Sequence, residues 1–568
     1  MVNIEDASAL GTAAVLRQQA SGNKSGLKVL WSNLHVLSIA LFASFGGLLY
    51  GYQQGVLGQA LVMPAFQRQF PHIASDSNAK GWLTSILQLG GWAGALSAGI
   101  LCEIFSRKHT IFGGALWVIL GSYLTAGAHT EVYMYAGRFL TGIGVGTLSA
   151  TGPLYNAELA PPEIRGMIIS MQQLATTLGI MGAYWVGYGT NYIGGTGDSQ
   201  KELAWRLPLI IQGIPAVILA VGVWCLPFSP RLLVNHGRDE EALQTLSRLR
   251  RLPLNDPLIR IEYLEIKAES EFEKRVFERR SPTLAVKARG NRLLRELAQY
   301  SNIFRNKDSF KRVAIGGTIM FFQQWSGIDS IIYYAPIVFQ NFGFTDNTIS
   351  LLATGVVGIL NVLSTIPAMY FIDKIGRKKL LICGSLGMLI CQLITGVLGA
   401  RYESSWAANR AAGWGAVVMI WLYVVFFAFS WGPGSWTLIA EIFPLSIRAK
   451  GTSISASSNW MNNFAVAFMT PPMLDGLRWG TFIFFSAWCL VGGLFVVFFL
   501  PETKGKTLEE MDVVFGSTTS IEDAELLSAI QDEIGLTRVL QENNNAEAEI
   551  RGAHGHVDDS KPTEEIIT

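Results

Sequence analysis

Apolar runs of the length that crosses a hydrocarbon core as a helix, about 20 residues, recur along the whole chain with short polar breaks between them. About twelve are predicted on that criterion. The first six cover roughly 33–57, 80–101, 110–128, 132–153, 165–187 and 206–226, and the second six roughly 313–340, 348–371, 378–399, 412–439, 451–470 and 480–500. Between the sets, 229–310 changes character. The stretch beginning Asp239-Glu-Glu-Ala-Leu reads as a charged amphipathic helix and Ile259 to Arg280 as another, both lying on a surface rather than spanning. Residues 1–32 read as a polar tail without a cleavable signal peptide. After Pro501 the chain turns acidic and rich in Asn, Ala and Glu, and 501–568 is expected to be a disordered tail.

Internal repeats give the runs an organisation. Ala157-Glu-Leu-Ala-Pro-Pro-Glu-Ile-Arg165 is echoed by Ala440-Glu-Ile-Phe-Pro-Leu-Ser-Ile-Arg448. Glu103-Ile-Phe-Ser-Arg107-Lys is answered by Asp373-Lys-Ile-Gly-Arg377-Lys, and Pro227-Phe-Ser-Pro-Arg by Pro501-Glu-Thr-Lys-Gly. Two related halves in the same orientation, in an apolar chain, point to a parallel-repeat transporter. The expected fold is an all-α membrane protein: twelve transmembrane helices in two pseudo-symmetric six-helix bundles, 33–228 and 311–500, joined by a cytosolic helical insert, 229–310.

Composition excludes the main alternatives. Hydrophobic residues make up 50% of the 568 and charged residues 15%, against roughly 25% charged in soluble chains. A formal net charge of +1 gives no basic face for nucleic acid. The five cysteines lie in or near apolar runs with no metal or disulfide spacing. No nucleophile–base set, phosphate loop or metal spacing suggests an enzyme or a cofactor. Arg107, Lys108, Lys374, Arg377, Lys378, Lys379, Arg448 and Lys450 cluster in the loops after even-numbered runs, which places those loops, the insert and both termini in the cytosol. Arg68, Lys80, Lys201, Arg206, Arg401, Arg410 and Arg478 fall on the other side and oppose that assignment.

The repeated charges carry a second reading. Glu158, Arg165, Asp373, Arg377, Glu441 and Arg448 are placed to form inter-helix ion pairs that close an inner mouth in one of two packings. For the cations alone, topology is the competing explanation, whereas acidic residues contribute little to topology.

Six ordered motifs then carry a resemblance: Arg138 within Gly137-Arg-Phe-Leu-Thr-Gly, Pro153-Leu-Tyr-Asn-Ala-Glu158, Arg165-Gly166, Gln323-Gln-Trp-Ser-Gly-Ile-Asp329, Asp373-Lys-Ile-Gly-Arg377 and Pro501-Glu-Thr-Lys-Gly505. Over roughly Leu34 to Met511 the chain resembles the sugar porter family of the major facilitator superfamily, most closely its fungal members. The resemblance implies alternating-access transport of a monosaccharide, a hexose first, across the plasma membrane by a monomeric unit in the bilayer. It places Gln173, Gln323, Gln324, Asp329, Asn361, Trp436, Asn459 and Trp460 on or near sugar-contacting positions, with Tyr333 and Tyr334 at an outer gate. For each polar residue the competing explanation is a helix–helix hydrogen bond, and for the tryptophans packing or an interfacial belt.

Departures from the family pattern sharpen the expectation. Proton-coupled members carry Asp at the position of Gln53, paired with the arginine at the position of Arg138. Gln53 cannot titrate, so Arg138 is expected to lack its usual partner and a passive uniporter is the leading reading. Asp329 stands where the family commonly has Asn. An intramembrane carboxylate is a functional-site hypothesis by default, which keeps a proton symporter using Asp329 as the alternative. A transporter-like sugar sensor is the other. Ser106 replaces a family glycine and is expected to loosen its turn. Gly432-Pro433-Gly434-Ser435 is expected to break the tenth run, Ala428 replaces an acid of some facilitators, and Phe228 removes an ion-pair partner.

Overall fold

The computed structural model describes residues 34–160, 165–280, 282, 292–305, 307–344, 346–406, 408–443, 447–503 and 519–543. Among them there is no strand. They divide into two compact units, one holding the described residues of Leu37–Pro227 and Val286–Ser517, the other those of Met1–Val36, Phe228–Ala285 and Thr518–Thr568.

The larger unit contains the predicted apolar runs, apart from the first residues of the run 33–57. Its first half comprises α1 (Leu34–Ala43), α2 (Phe45–Leu61), α3 (Ser77–Ile104), α4 (Arg107–Ala126), α5 (Glu131–Leu159), α6 (Arg165–Thr190), α7 (Leu203–Ile211) and α8 (Gly213–Gly222). The smaller unit supplies α9 (Asp239–Arg250) and α10 (Pro257–Arg280), the two charged helices read from the sequence. The larger unit resumes with α11 (Arg292–Arg305), α12 (Lys307–Trp325), α13 (Ile328–Asn341), α14 (Asn347–Ile375), α15 (Arg377–Tyr402), α16 (Arg410–Phe429), α17 (Trp431–Glu441), α18 (Arg448–Gly476) and α19 (Gly480–Phe499), and the smaller unit closes with α20 (Thr519–Glu533).

Among the described residues, seven helices are long and apolar enough to cross a membrane. The runs that miss this threshold are informative. The α1–α2 run bends at Ser44 and the α12–α13 run breaks at Ser326–Gly327, where Gly327 takes φ 91°. α5 carries Arg138, Asn156 and Glu158, and α18 carries Asn459, Asn462 and Asn463. Helices that bring polar groups inside are the least apolar ones. Conversely, Leu386, Ile390, Leu393 and Val397 form an exposed apolar stripe on α15, the inverse of a water-soluble helix. α3 and α5 approach through Gly90, Gly94, Gly142 and Gly146, each with the partner's backbone where a Cβ would sit, the close packing that small residues permit in membranes.

Two expectations about turns are corrected. The tenth run breaks at Ser430 (φ −122°, ψ −78°), not at the Gly-Pro-Gly itself. Pro433 has no N–H and its ring collides with the carbonyl four residues back, so the chain bends before it and Pro433 joins the first turn of α17. Ser106 does not loosen its turn. It is extended (φ 169°, ψ 162°), and its Oγ accepts from His109 N at 3.1 Å, capping α4. In the second half, Gly376 fills the matching place with φ 97°, and a Cβ there would lie 2.9 Å from the Glu502 carboxylate.

The smaller unit corrects a third. The acidic tail was expected to be disordered, yet Thr519–Glu533 and 536–543 are helical. Leu536, Val539 and Leu540 recur at helical spacing and join Leu233, Leu246, Ile259 and Ile261 in one core. The acids of this segment are matched by the insert: Arg280 meets Asp523 at 2.7 Å and Arg275 meets Glu533 through two bonds of 2.7 and 2.9 Å. Hydrogen bonding to Arg275 holds the Glu533 carboxyl below its ordinary value. The rest of the tail lies outside the described residues.

Candidate functional site

The polar residues of the second half converge at its two broken runs. Gln323, on the last turn of α12, donates through Nε2 to the Trp431 and Gly432 carbonyls at 3.0 and 3.3 Å, at the start of α17. Asn459 on α18 donates to Gln323 Oε1 at 2.6 Å and accepts from Gln324 Nε2 at 3.3 Å. Three predicted residues thus form one amide chain joining α12, α17 and α18. Gln324 Oε1 and the buried Ser435 Oγ have no partner among the described residues. Buried polar atoms without partners are costly.

A second cluster forms one turn further on. Asp329 is 2% exposed. Its Oδ2 accepts from Asn463 Nδ2 at 2.5 Å and its Oδ1 from Gln54 Nε2 at 3.4 Å. A carboxylate only accepts, so it fixes the amide orientation of Asn463, whose Oδ1 then accepts from the Tyr333 hydroxyl at 3.0 Å. Gln54 Nε2 also reaches the Tyr333 and Tyr50 hydroxyls at 3.3 and 3.1 Å. Gln54 and Tyr50 belong to α2 in the first half, so this cluster crosses between the halves. Other crossings support it: Tyr184 OH donates to Ile332 O at 2.7 Å, Asn347 Nδ2 to Val62 O at 2.9 Å, and Trp92 Nε1 to Ser457 Oγ at 2.8 Å. The rings of Tyr50 and Trp460 lie 5.1 Å apart. Tyr334, also buried, donates to Ala467 O at 2.7 Å.

In the first half Arg138 has an amide, not a carboxylate, for a partner. Its Nη1 donates to Gln53 Oε1 at 3.3 Å. The amide supplies an oxygen but no charge, and Arg138 Nε, Arg138 Nη2 and Gln53 Nε2 have no partner among the described residues. Gln173 is half-buried on α6, Asn361 is buried on α14 and Trp436 is about one-third exposed on α17. None of the three has a side-chain hydrogen bond among the described residues, so they are not joined to the clusters. Ala428 is buried.

The repeated charges pair inside each half. Arg107 contacts Glu158 at 2.8 Å and Glu103 at 2.6 Å. Arg377 contacts Glu441 at 2.6 Å, Glu441 accepts from Thr503 Oγ1 at 2.7 Å, and Glu502 accepts from the Arg377 backbone N–H at 3.1 Å. Arg448 Nε reaches Phe443 O at 3.5 Å. The side chains of Arg165 and Asp373 lie outside the described residues.

Sequence reasoning missed Tyr50, Gln54 and Asn463. A signal existed: Tyr50, Gln54 and Gly58 are four residues apart on one face of α2, as Asn459 and Asn463 are on α18. Gln53, and not Gln54, stands at the position where the family motif carries its acid. A separate cavity of about 330 Å³, lined by Phe342, Glu403, Trp406, Asp475, Arg478 and Trp479 among others, contains none of the predicted residues.

The architecture and its polar clusters define a transport protein, and the comparisons agree. Residues 39–515 match the family described as "Sugar (and other) transporter". "Sugar transport protein MST3" of Oryza sativa subsp. japonica is 33% identical over 502 residues, covering 85% of this chain and 91% of that protein. "Major facilitator-type transporter ecdD" of Aspergillus rugulosus is 34% identical over 506 residues, covering 86% and 88%. The structure of the major facilitator superfamily proton:xylose symporter XylE bound to 6-bromo-6-deoxy-D-glucose superposes with a TM-score of 0.67 at 30% identity, covering 84% of this chain and 99% of XylE.

The chain belongs to the sugar (and other) transporter family. It is a multi-pass membrane protein with the twelve-helix major facilitator fold, and not an enzyme. Plant and fungal relatives match about equally, so the resemblance is not specific to fungal members.

Proposed function

We propose that this protein carries a monosaccharide, a hexose first, across the plasma membrane by alternating access, as a monomeric facilitative uniporter with both termini in the cytosol. The observation that carries the reading is the amide chain Gln323–Asn459–Gln324, next in sequence to Trp460, whose ring meets Tyr50 of the first half, with open acceptors at Gln324 Oε1 and Ser435 Oγ. Hydroxyl-rich solutes are recognised by such fixed donors and acceptors beside aromatic faces. Gln173, Asn361 and Trp436 complete the sugar-contacting set in this reading, and Tyr333 and Tyr334 form the outer gate. Arg107–Glu158 and Arg377–Glu441 brace the cytosolic end of each half, and Arg165, Asp373 and Arg448 extend these latches.

Uniport is favoured by the Gln53–Arg138 pair, which has no proton to exchange. A second reading, proton symport through Asp329, is supported by a buried carboxylate with no cation in salt-bridge contact among the described residues. XylE, a proton:xylose symporter, lends its support to this second reading. The test is radiolabelled glucose and fructose uptake in a yeast lacking its own hexose transporters. Uptake unaffected by a protonophore is the expected result. Sugar-induced alkalinisation of the medium would overturn uniport in favour of Asp329. Induction of transporter genes without uptake of any monosaccharide would overturn transport in favour of a sensor.

A further inference from the structure

We propose that Gln54 is the first-half anchor of a reversible tie to Asp329 and Tyr333, and that this tie sets how strongly the carrier stays closed at its outer end. The proposal rests on the carrier reading but names a residue outside the predicted set. Gln53 and Gln54 are adjacent, about 100° apart around α2, and the consequence is a division of labour. Gln53 turns into its own half, toward Arg138. Gln54 turns out of it, toward α13 of the other half.

Three features make the contact a tie rather than ordinary packing. First, it lies where α2 and α13 touch backbone to backbone: one turn along, Gly58 abuts the Tyr333 carbonyl so closely that a Cβ would lie 2.2 Å from it. Second, the acceptor is a carboxylate, and hydrogen bonds to charged groups are the stronger kind. Third, the tie is soft. Two N–H bonds of one amide are shared among three oxygens, Tyr50 OH, Tyr333 OH and Asp329 Oδ1, at 3.1 to 3.4 Å. Alternating access needs states close in energy, so a contact present in one state only must be strong enough to bias and weak enough to release. Asn463 holds Asp329 at 2.5 Å from within the second half. That bond survives opening, so Asp329 and Asn463 move together and the break falls at Gln54. Gln54 is therefore a positioning residue that acts through Asp329.

The test compares Gln54→Met, which keeps the shape and removes the donor, with Gln54→Asn, which keeps the amide and withdraws it. Gln59→Met is the control: Gln59 is buried on the same helix but faces Gly187 of its own half. Hydrogen–deuterium exchange of the full-length protein without sugar should show faster exchange in 45–61 and 328–341 for Gln54→Met, a smaller effect for Gln54→Asn and none for Gln59→Met. In transport, the ratio of internal to external KM should rise about tenfold for Gln54→Met, equivalent to 1.4 kcal/mol, with equilibrium exchange retained. Unchanged exchange and an unchanged KM ratio would overturn the tie, as would equal effects of Gln54→Met and Gln59→Met. An exchange shift in a protein that moves no monosaccharide would leave the tie standing and sink the carrier reading instead.

Discussion

Replacing Gly58 by alanine should bias the carrier toward its outward-open state without unfolding it. A Cβ at Gly58 would lie 2.2 Å from the Tyr333 carbonyl oxygen, about 1.2 Å inside an ordinary 3.4 Å contact. The obstacle is backbone, so no side chain can swing away. Overpacking of this kind costs about 1–3 kcal/mol. Because Gly58 and Tyr333 lie in opposite halves, only the outer-closed state bears the cost. The outward-to-inward ratio should therefore rise about 5- to 150-fold. Gly51→Ala gives the contrast. Its Cβ would lie 1.8 Å from the Thr176 carbonyl oxygen, but Thr176 belongs to the same half, so the strain persists in every state. Gly51→Ala should lower surface expression and thermal stability with no change in the ratio of internal to external KM. Gly58→Ala should raise that ratio at near-parental expression. Equal thermal losses for both variants, with the ratio unmoved, would refute the reasoning.

Three further outcomes are expected. Gln53→Asp places a titratable group beside Arg138, which the present amide contacts at 3.3 Å, and should make sugar accumulation protonophore-sensitive in the uptake assay. Glu158→Ala should destabilise the protein by about 3 kcal/mol, since it leaves a buried guanidinium short of its partner; Glu441→Ala should cost less, because Glu441 is 29% exposed where Glu158 is 4% exposed, and thermal unfolding in detergent would rank the two. The Arg275–Glu533 contact depresses the Glu533 carboxyl, so its contribution is complete above the ordinary glutamate value, about 4.3, and is lost as pH falls through the lower folded value. Protease cleavage of the tail should therefore be constant from about pH 6 to 8 and rise only in stronger acid.

Much of this was legible beforehand because each half writes its charged turns twice. The repeats at Ala157 and Ala440 placed Glu158 and Glu441, and the apolar runs located the helices. The identity of ion-pair partners was not legible: Glu158 meets Arg107, 51 residues back along the chain, because α4 starts where α5 ends. Period alone does not report such neighbours. The cross-half cluster was hidden for a different reason. Tyr50, Gln54 and Asn463 belong to no motif, and their meaning depends on which side of α2 and α18 faces the other half. The tail helix was misread because its acids suggested solvation, whereas the arginines that neutralise them lie on α10, far away in sequence.

The matching turns at Ser106 and Gly376 have one consequence for how the duplicated halves can diverge. Ser106 is extended and buried, its Oγ capping α4 and meeting His109 Nδ1 at 2.6 Å, so its backbone needs no glycine and a small capping residue such as threonine could occupy it. Gly376 combines φ 97° with the Glu502 carboxylate at Cβ distance, which leaves no alternative side chain. A saturation library should find one copy of the turn open to small capping residues and the other confined to glycine, so tolerance to change, unlike architecture, is no longer symmetric.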